Sequence, residues 1–344
     1  MLADMNRMMD LMYGVPKNPL SLLPSEYTYV TTAGTGTYGA VHFCPATLAV
    51  NSARAESRSS TERSLVCENL TKQLVAVKIC IEPDSIETLQ TELEALQAIE
   101  AHKKTDEGGA CGELFSLLGH GQCLDGISHY IVTSTIPIVC TLESLKSHLL
   151  TLPEVFTWLI YSKLTSALAW LKETCEPGIA HGDIHSGNVL IGYSTLQAAP
   201  ALPGVKIIDF GRAIPHPPPS SSPPALLKYQ QTLHSNQMMF LRILGRLLGV
   251  DVDNPWRLVR GQSPEDRDWD WCELKMEVQD VLRMGKWDQL DGIDRLRGRW
   301  DRVAKQQVER VKGKDVELIW EVVAGVTKEK RDEVRMKIEE LLGE

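Results

Sequence analysis

His181-Gly-Asp-Ile-His-Ser-Gly-Asn188, running into Val189-Leu-Ile191, and then Val205-Lys-Ile-Ile-Asp209-Phe-Gly211 are the stretches on which the fold turns. Each sets polar groups against an apolar, strand-like run. An Asp and an Asn stand five residues apart, and a second Asp comes directly ahead of Phe-Gly. Singly, Asp, Asn and Gly are routine turn chemistry; their order and spacing together go beyond it. Three oxygen-bearing side chains suit a hard cation, because Mg²⁺ takes one or two protein oxygens and completes its octahedron with water and substrate phosphates. With Asn188 and Asp209 as the expected metal ligands, Asp183 is left to orient an attacking hydroxyl.

Upstream, Gly34-Thr-Gly-Thr-Tyr-Gly39-Ala-Val41 lies between two strand-like runs. Glycines at that spacing let backbone N–H groups approach phosphate oxygens with no side chain intervening. A dinucleotide-binding fold would require a helix after the third glycine. Ala40-Val-His-Phe-Cys44 has the pattern of a strand instead.

Val75-Ala-Val-Lys78 ends an apolar strand on an ammonium, which a carboxylate must hold if it is to face phosphates. Residues 85–99 switch to helical period, with Leu89, Leu93, Leu96 and Ile99 on one stripe. At about 100° per residue, Glu92 falls on that inward stripe while Glu87 and Glu94 fall opposite. An inward carboxylate is costly unless paired, which predicts a Lys78–Glu92 ion pair.

Composition bounds the function. The chain has 344 residues, 43% hydrophobic and 24% charged, enough to bury a sizeable core, so a disordered or fibrous protein is excluded. Thirty-six basic against 45 acidic residues give a formal charge of -9, with no overall footprint for nucleic acid. No apolar run reaches the length of a membrane span, and the opening MLADMNRMMDLMYG is not of signal-peptide type. The expectation is a soluble protein of the cytosol or nucleus. Eight cysteines without CxxC spacing are expected to be free and mostly buried.

Two segments read as loose: Ser- and Arg-rich residues 45–72, as a flexible insertion between strands, and residues 215–224, PHPPPSSSPP, as a polyproline-type or disordered loop. Residues 153–175 read as a long buried helix and 233–249 as a second. Tyr27–Thr32, Ala40–Cys44, Leu74–Cys80 and Tyr130–Ile136 read as strands. Met5, Met8, Met9 and Met12 have the spacing of a packed helix, and six of the eight tryptophans lie beyond residue 250, where a helical pattern predicts core packing. A strand-rich front and helix-rich back give an α+β chain in two lobes.

Taken together, the Gly-rich loop, strand lysine, Asp183, Asn188 and Asp209-Phe-Gly resemble the protein-kinase-like superfamily over residues 27–250. The resemblance implies a bilobal fold: an N-terminal segment 1–26, a strand-rich N-lobe 27–136, a helical C-lobe core 137–250 and a divergent, shortened C-terminal part 251–344. It implies ATP bound at a hinge near Ser134–Pro137. Gly34, Gly36, Gly39, Val41, Ala76, Lys78, Thr133, Ser134 and Ile136 would bind ATP, Thr133 gating the back of the adenine pocket. Lys78, Glu92 and Asp183 would be catalytic, with Mg²⁺ on Asn188 and Asp209.

Departures bear on the acceptor. Gly182 stands where regulated protein kinases carry an arginine that pairs with a phosphorylated activation loop, so that control is not expected. His185 makes the loop similar to those of aminoglycoside and choline kinases and of haspin. Residues 212–224 contain no Ala-Pro-Glu, the signature that accompanies the usual peptide-docking platform. Asn236 stands where protein kinases carry an aspartate tying down the catalytic loop; its amide keeps one acceptor without charge assistance. The expected activity is a protein serine/threonine kinase, the alternatives being a small-molecule kinase or a nucleotide-binding scaffold.

Overall fold

A computed structural model describes residues 19–36, 39–56, 60–80, 85–103, 110–123, 128–136, 138–148, 153–193, 201–250, 252–253, 269–284, 292–311 and 313–343. In chain order the elements are β1 (Thr31–Gly36), β2 (Gly39–Cys44), α1 (Thr47–Glu56), α2 (Ser60–Lys72), β3 (Val75–Cys80), α3 (Ile86–Lys103), β4 (Leu117–Gln122), β5 (His129–Ser134) and β6 (Ile138–Thr141). There follow α4 (Leu142–His148), α5 (Glu154–Glu173), β7 (Ile179–Ala180), β8 (Val189–Tyr193), β9 (Gly204–Ile207), β10 (Ile214–Pro215), α6 (Pro223–Leu247), α7 (Trp269–Met284), α8 (Gly292–Glu309) and α9 (Gly313–Gly343). The chain is mixed α+β. Its contacts divide into two units, one holding the described residues of Met1–Glu94, Ser116–Pro137 and Glu329–Glu344, the other those of Ala95–Phe115 and Ile138–Lys328.

The first unit is built on a five-stranded antiparallel sheet in the order β1-β2-β3-β5-β4. Period-two alternation sorts its side chains. Val75, Val77 and Ile79 of β3 share a face with Val132 of β5 and Cys44 of β2, and there they join Leu22 and Cys123 in an apolar cluster. The opposite face, by register, carries Val41, Phe43, Ala76, Lys78, Ile131 and Thr133. The sheet begins later than its pattern suggests: Tyr27 makes only an isolated bridge to Ala46, and β1 starts at Thr31.

Within 45–72, read as an insertion between strands, the described residues from Thr47 onward are helical. They form α1 and α2, whose buried sides are Val50 and Ala53 on one and Cys67, Leu70 and Thr71 on the other. Spacings of three and four put each set on a single stripe, narrow enough to be hidden by the surrounding Ser, Arg and Glu.

In the second unit α5 lies at the centre, with Trp158, Leu164, Leu168 and Leu171 all buried. Trp158 packs on Trp300 of α8 with ring centroids 6.0 Å apart. Trp271 is buried as well, whereas Trp269 is 79% exposed, so the C-terminal tryptophans are not uniformly core. Trp256 and Trp287, and the Met-rich opening, lie outside the described residues. Nor is 215–224 wholly loose: β10 ends at Pro215, a turn covers Pro219 and Ser220, and α6 begins at Pro223, ten residues before its expected start. Proline suits the first helical turn, where its missing N–H would have no partner anyway.

Seven described cysteines are free thiols, five of them buried. Burial pushes Cys44 and Cys140 up to about 12 and Cys175 up to about 11, which leaves these thiols protonated near neutrality. Among the described residues no helix is long and apolar enough to cross a membrane.

Candidate functional site

Within the first unit, strand register gathers the glycines and the lysine. Gly34 pairs with Val41 and Gly36 with Gly39 across the β1–β2 hairpin; Val41 pairs with Lys78, and Ala76 with both Phe43 and Thr133. Directly paired residues point the same way, so Gly34, Gly36, Gly39, Val41, Ala76, Lys78 and Thr133 share one sheet face. Ser134 belongs to the other face, where its Oγ accepts from the Ser116 N–H at 2.9 Å. Ile136 is buried just past the end of β5, and Pro137 lies outside the described residues.

Lys78 Nζ lies 2.5 Å from the Glu92 carboxylate, whose side chain is only 8% exposed. The 3.6-residue period of α3 turns Glu92 inward with Leu89, and the two-residue period of β3 turns Lys78 away from the apolar cluster. Gly39 has a φ of +146°, and a Cβ there would fall 2.1 Å from the Ile79 carbonyl oxygen. Neither the backbone angle nor the neighbouring strand admits a side chain. Gly39→Ala is expected to destabilise the first unit by about 1–3 kcal/mol, read as a lowered urea midpoint.

Within the second unit, two turns are locked side by side at both ends. Val189 of β8 pairs with Ile207 of β9, and Ala180 of β7 with Ile214 of β10, so residues 181–188 run alongside 208–213. The Ile208 N–H donates to the Asn188 carbonyl at 3.0 Å. Asn188 Nδ2 donates to the Asp183 carbonyl at 3.0 Å, which leaves Oδ1 as the oxygen able to meet a cation. Asp209 has a φ of +65°, and it is the single non-glycine residue with positive φ among those described. Asp tolerates this left-handed conformation better than most residues, but at a cost that turns and functional sites typically carry.

His181 is wholly buried between the two turns. Its Nδ1 accepts from the Asp183 N–H at 3.2 Å, so the ring proton sits on Nε2 and is donated to the Ile208 carbonyl at 3.0 Å. Its ring packs against Phe210, tilted by 52° with centroids 4.6 Å apart. Burial holds its pKa well below the usual 6.5, at about 4. The imidazole is therefore neutral in the folded chain and protonated in the unfolded chain below about pH 6.5. Stability conferred by His181 is complete above that pH and falls away towards pH 4, by on the order of 3 kcal/mol. Urea unfolding at pH 7 and pH 4.5 reads this loss; His181→Gln, with no titrating ring, is expected to show a flatter pH dependence.

Gly182 has a φ of +82°, and a Cβ on it would lie 2.1 Å from the Arg212 carbonyl oxygen. Its N–H donates to Asn236 Oδ1 of α6 at 2.9 Å, so the amide supplies the acceptor its sequence position suggests. Around Asp183, His185 Nε2 stands 3.9 Å from one carboxylate oxygen and Arg212 Nη1 3.8 Å from the other. His185 Nδ1 accepts from the Gly187 N–H, which places its neutral-form proton on Nε2, towards Asp183. Sequence reasoning missed Arg212; its only signal was a cation directly after Asp-Phe-Gly.

Among the described residues no group of three or more His, Cys, Asp or Glu side chains is arranged to hold a metal ion. One carboxylate and one amide oxygen on adjoining turns do fit Mg²⁺, which draws its remaining ligands from water and phosphate. No protein-family model matches the sequence, and no curated protein matches it.

Proposed function

We propose that this chain is an ATP- and Mg²⁺-dependent phosphotransferase of protein-kinase-like fold, acting on serine or threonine hydroxyls of proteins. The observation that carries the reading is the Lys78–Glu92 pair on the same sheet face as Gly34, Gly36 and Gly39. A buried carboxylate that fixes an ammonium beside side-chain-free backbone suits the phosphates of a nucleotide.

In this reading Lys78 offers its charge to the α- and β-phosphates, held in place by Glu92. Asp183 accepts a hydrogen bond from the acceptor hydroxyl and aims its oxygen at the γ-phosphorus. The Asn188 amide spans the catalytic turn to the Asp183 carbonyl and, with Asp209, would hold magnesium. Bound there, the metal would neutralise charge on the phosphate oxygens. Transfer of this kind is mostly positioning and charge neutralisation, so the chain needs no covalent nucleophile. The lack of an arginine at Gly182 supports activity without activation-loop phosphorylation.

The test is transfer from γ-labelled ATP with magnesium to separate pools of proteins and of alcohol-bearing metabolites. Label in proteins is expected. Label only in metabolites would make the chain a small-molecule kinase; nucleotide binding without label in any acceptor would make it a scaffold.

A further inference from the structure

The end of α9 grips the glycine hairpin. β1 is an edge strand with β2 as its one partner in the sheet, so its outer carbonyls need other donors. Lys330 Nζ donates to the Thr32 carbonyl at 2.6 Å, to Thr31 Oγ1 at 2.9 Å and to Glu333 Oε2 at 2.9 Å. Those three bonds use all the donors of an ammonium. Thr31 Oγ1 in turn donates to Glu333, closing the network, and Thr31 is 2% exposed. The rest of this helix end is seated too: Val334, Ile338 and Leu342 are buried, and Arg54 of α1 donates to the Leu341 carbonyl at 2.6 Å.

The grip falls at a mechanically sensitive place. The β1–β2 register shifts between Thr32 and Gly34, so the held residues are the last before the bulge, and Gly34 comes directly after it. Beyond the bulge β1 has little packing of its own. Ala33, Gly34 and Thr35 are exposed, and a Cβ on Gly34 would meet nothing within 4 Å. β1 is held by a strand on one side only, so the place of its glycines depends on its base.

We infer that Lys330 and Glu333 are positioning residues for nucleotide: through Thr31 and Thr32 they fix where Gly34 and Gly36 stand, and the strength of this grip sets the affinity for MgATP. This rests on the phosphotransferase reading. Lys330→Ala in the full chain is expected to raise the MgATP dissociation constant about tenfold, with turnover at saturating ATP near that of the unaltered chain. Amide exchange is expected to quicken in residues 31–36 and not in β3 or β5. Thr31→Val, altering the other side of the network, should act in the same direction, and Lys330→Arg should restore most of the affinity. Arg335→Ala, on an exposed side chain of the same helix, should change neither. If the unaltered chain binds MgATP and both Lys330→Ala and Thr31→Val bind it equally well, this inference falls alone. If the unaltered chain binds no MgATP, the phosphotransferase reading falls and carries this one with it.

Discussion

Asparagine in place of Asp209 is expected to abolish measurable phosphoryl transfer while leaving the fold standing. The residue has two separable properties, a left-handed backbone at φ +65° and a carboxylate at the turn beside Asn188. Asparagine tolerates the left-handed conformation about as well as aspartate does, so the substitution removes charge and little else. Losing several kcal/mol of charge stabilisation at the phosphates, at about 1.4 kcal/mol per decade, corresponds to a rate lower by roughly a thousandfold or more. Alanine would be inactive and also less stable, since a Cβ-bearing residue without a compensating polar group pays about 1–2 kcal/mol in this conformation. Glycine would be inactive without that strain. Urea midpoints should therefore place alanine below the other three forms while all three variants lack transfer. An Asp209→Asn chain that phosphorylates acceptors at the unaltered rate would remove Asp209 from the site.

The parts of this arrangement that could be read from the sequence are those fixed by a period. The 3.6 residues per turn of α3 put Glu92 inward, where a carboxylate needs a partner, and Lys78 at the end of an apolar strand needs a carboxylate; their meeting follows. The Asn236 contact to Gly182 was legible only through the resemblance, which places an acceptor for the loop at that position. What escaped reading lacked a period or lay far along the chain. Among the described residues α1 and α2 bury only two or three side chains each, so their stripes do not rise above a Ser- and Arg-rich background. Pro223 and Pro224 looked like breakers because a proline that opens a helix and one that prevents it are the same letters. Gly182 reads as a missing arginine, yet the positive φ and the Arg212 carbonyl leave no room for one in this backbone. Nothing local could announce that Lys330 and Glu333 grip Thr31, about three hundred positions earlier.

Lys78→Met is expected to eliminate transfer and to destabilise the chain, and the two losses have different causes. Methionine fills the space of the lysine stem but leaves the Glu92 carboxylate, 8% exposed, without its ammonium. Breaking one side of a buried pair typically costs about 3–5 kcal/mol, whereas removing both charges is often neutral or stabilising. Adding Glu92→Leu to Lys78→Met should therefore recover most of the lost urea midpoint. It should recover none of the transfer, because the charge offered to the α- and β-phosphates is still absent. Glu92→Gln alone separates the roles further: the ammonium remains but is less firmly held, so transfer should fall by a smaller factor than in Lys78→Met, chiefly through weaker nucleotide binding. If the double variant regained activity along with stability, Lys78 would be a structural residue whose loss merely unfolds the sheet. Stability regained with transfer still absent would tie Lys78 to the chemistry and Glu92 to holding it there.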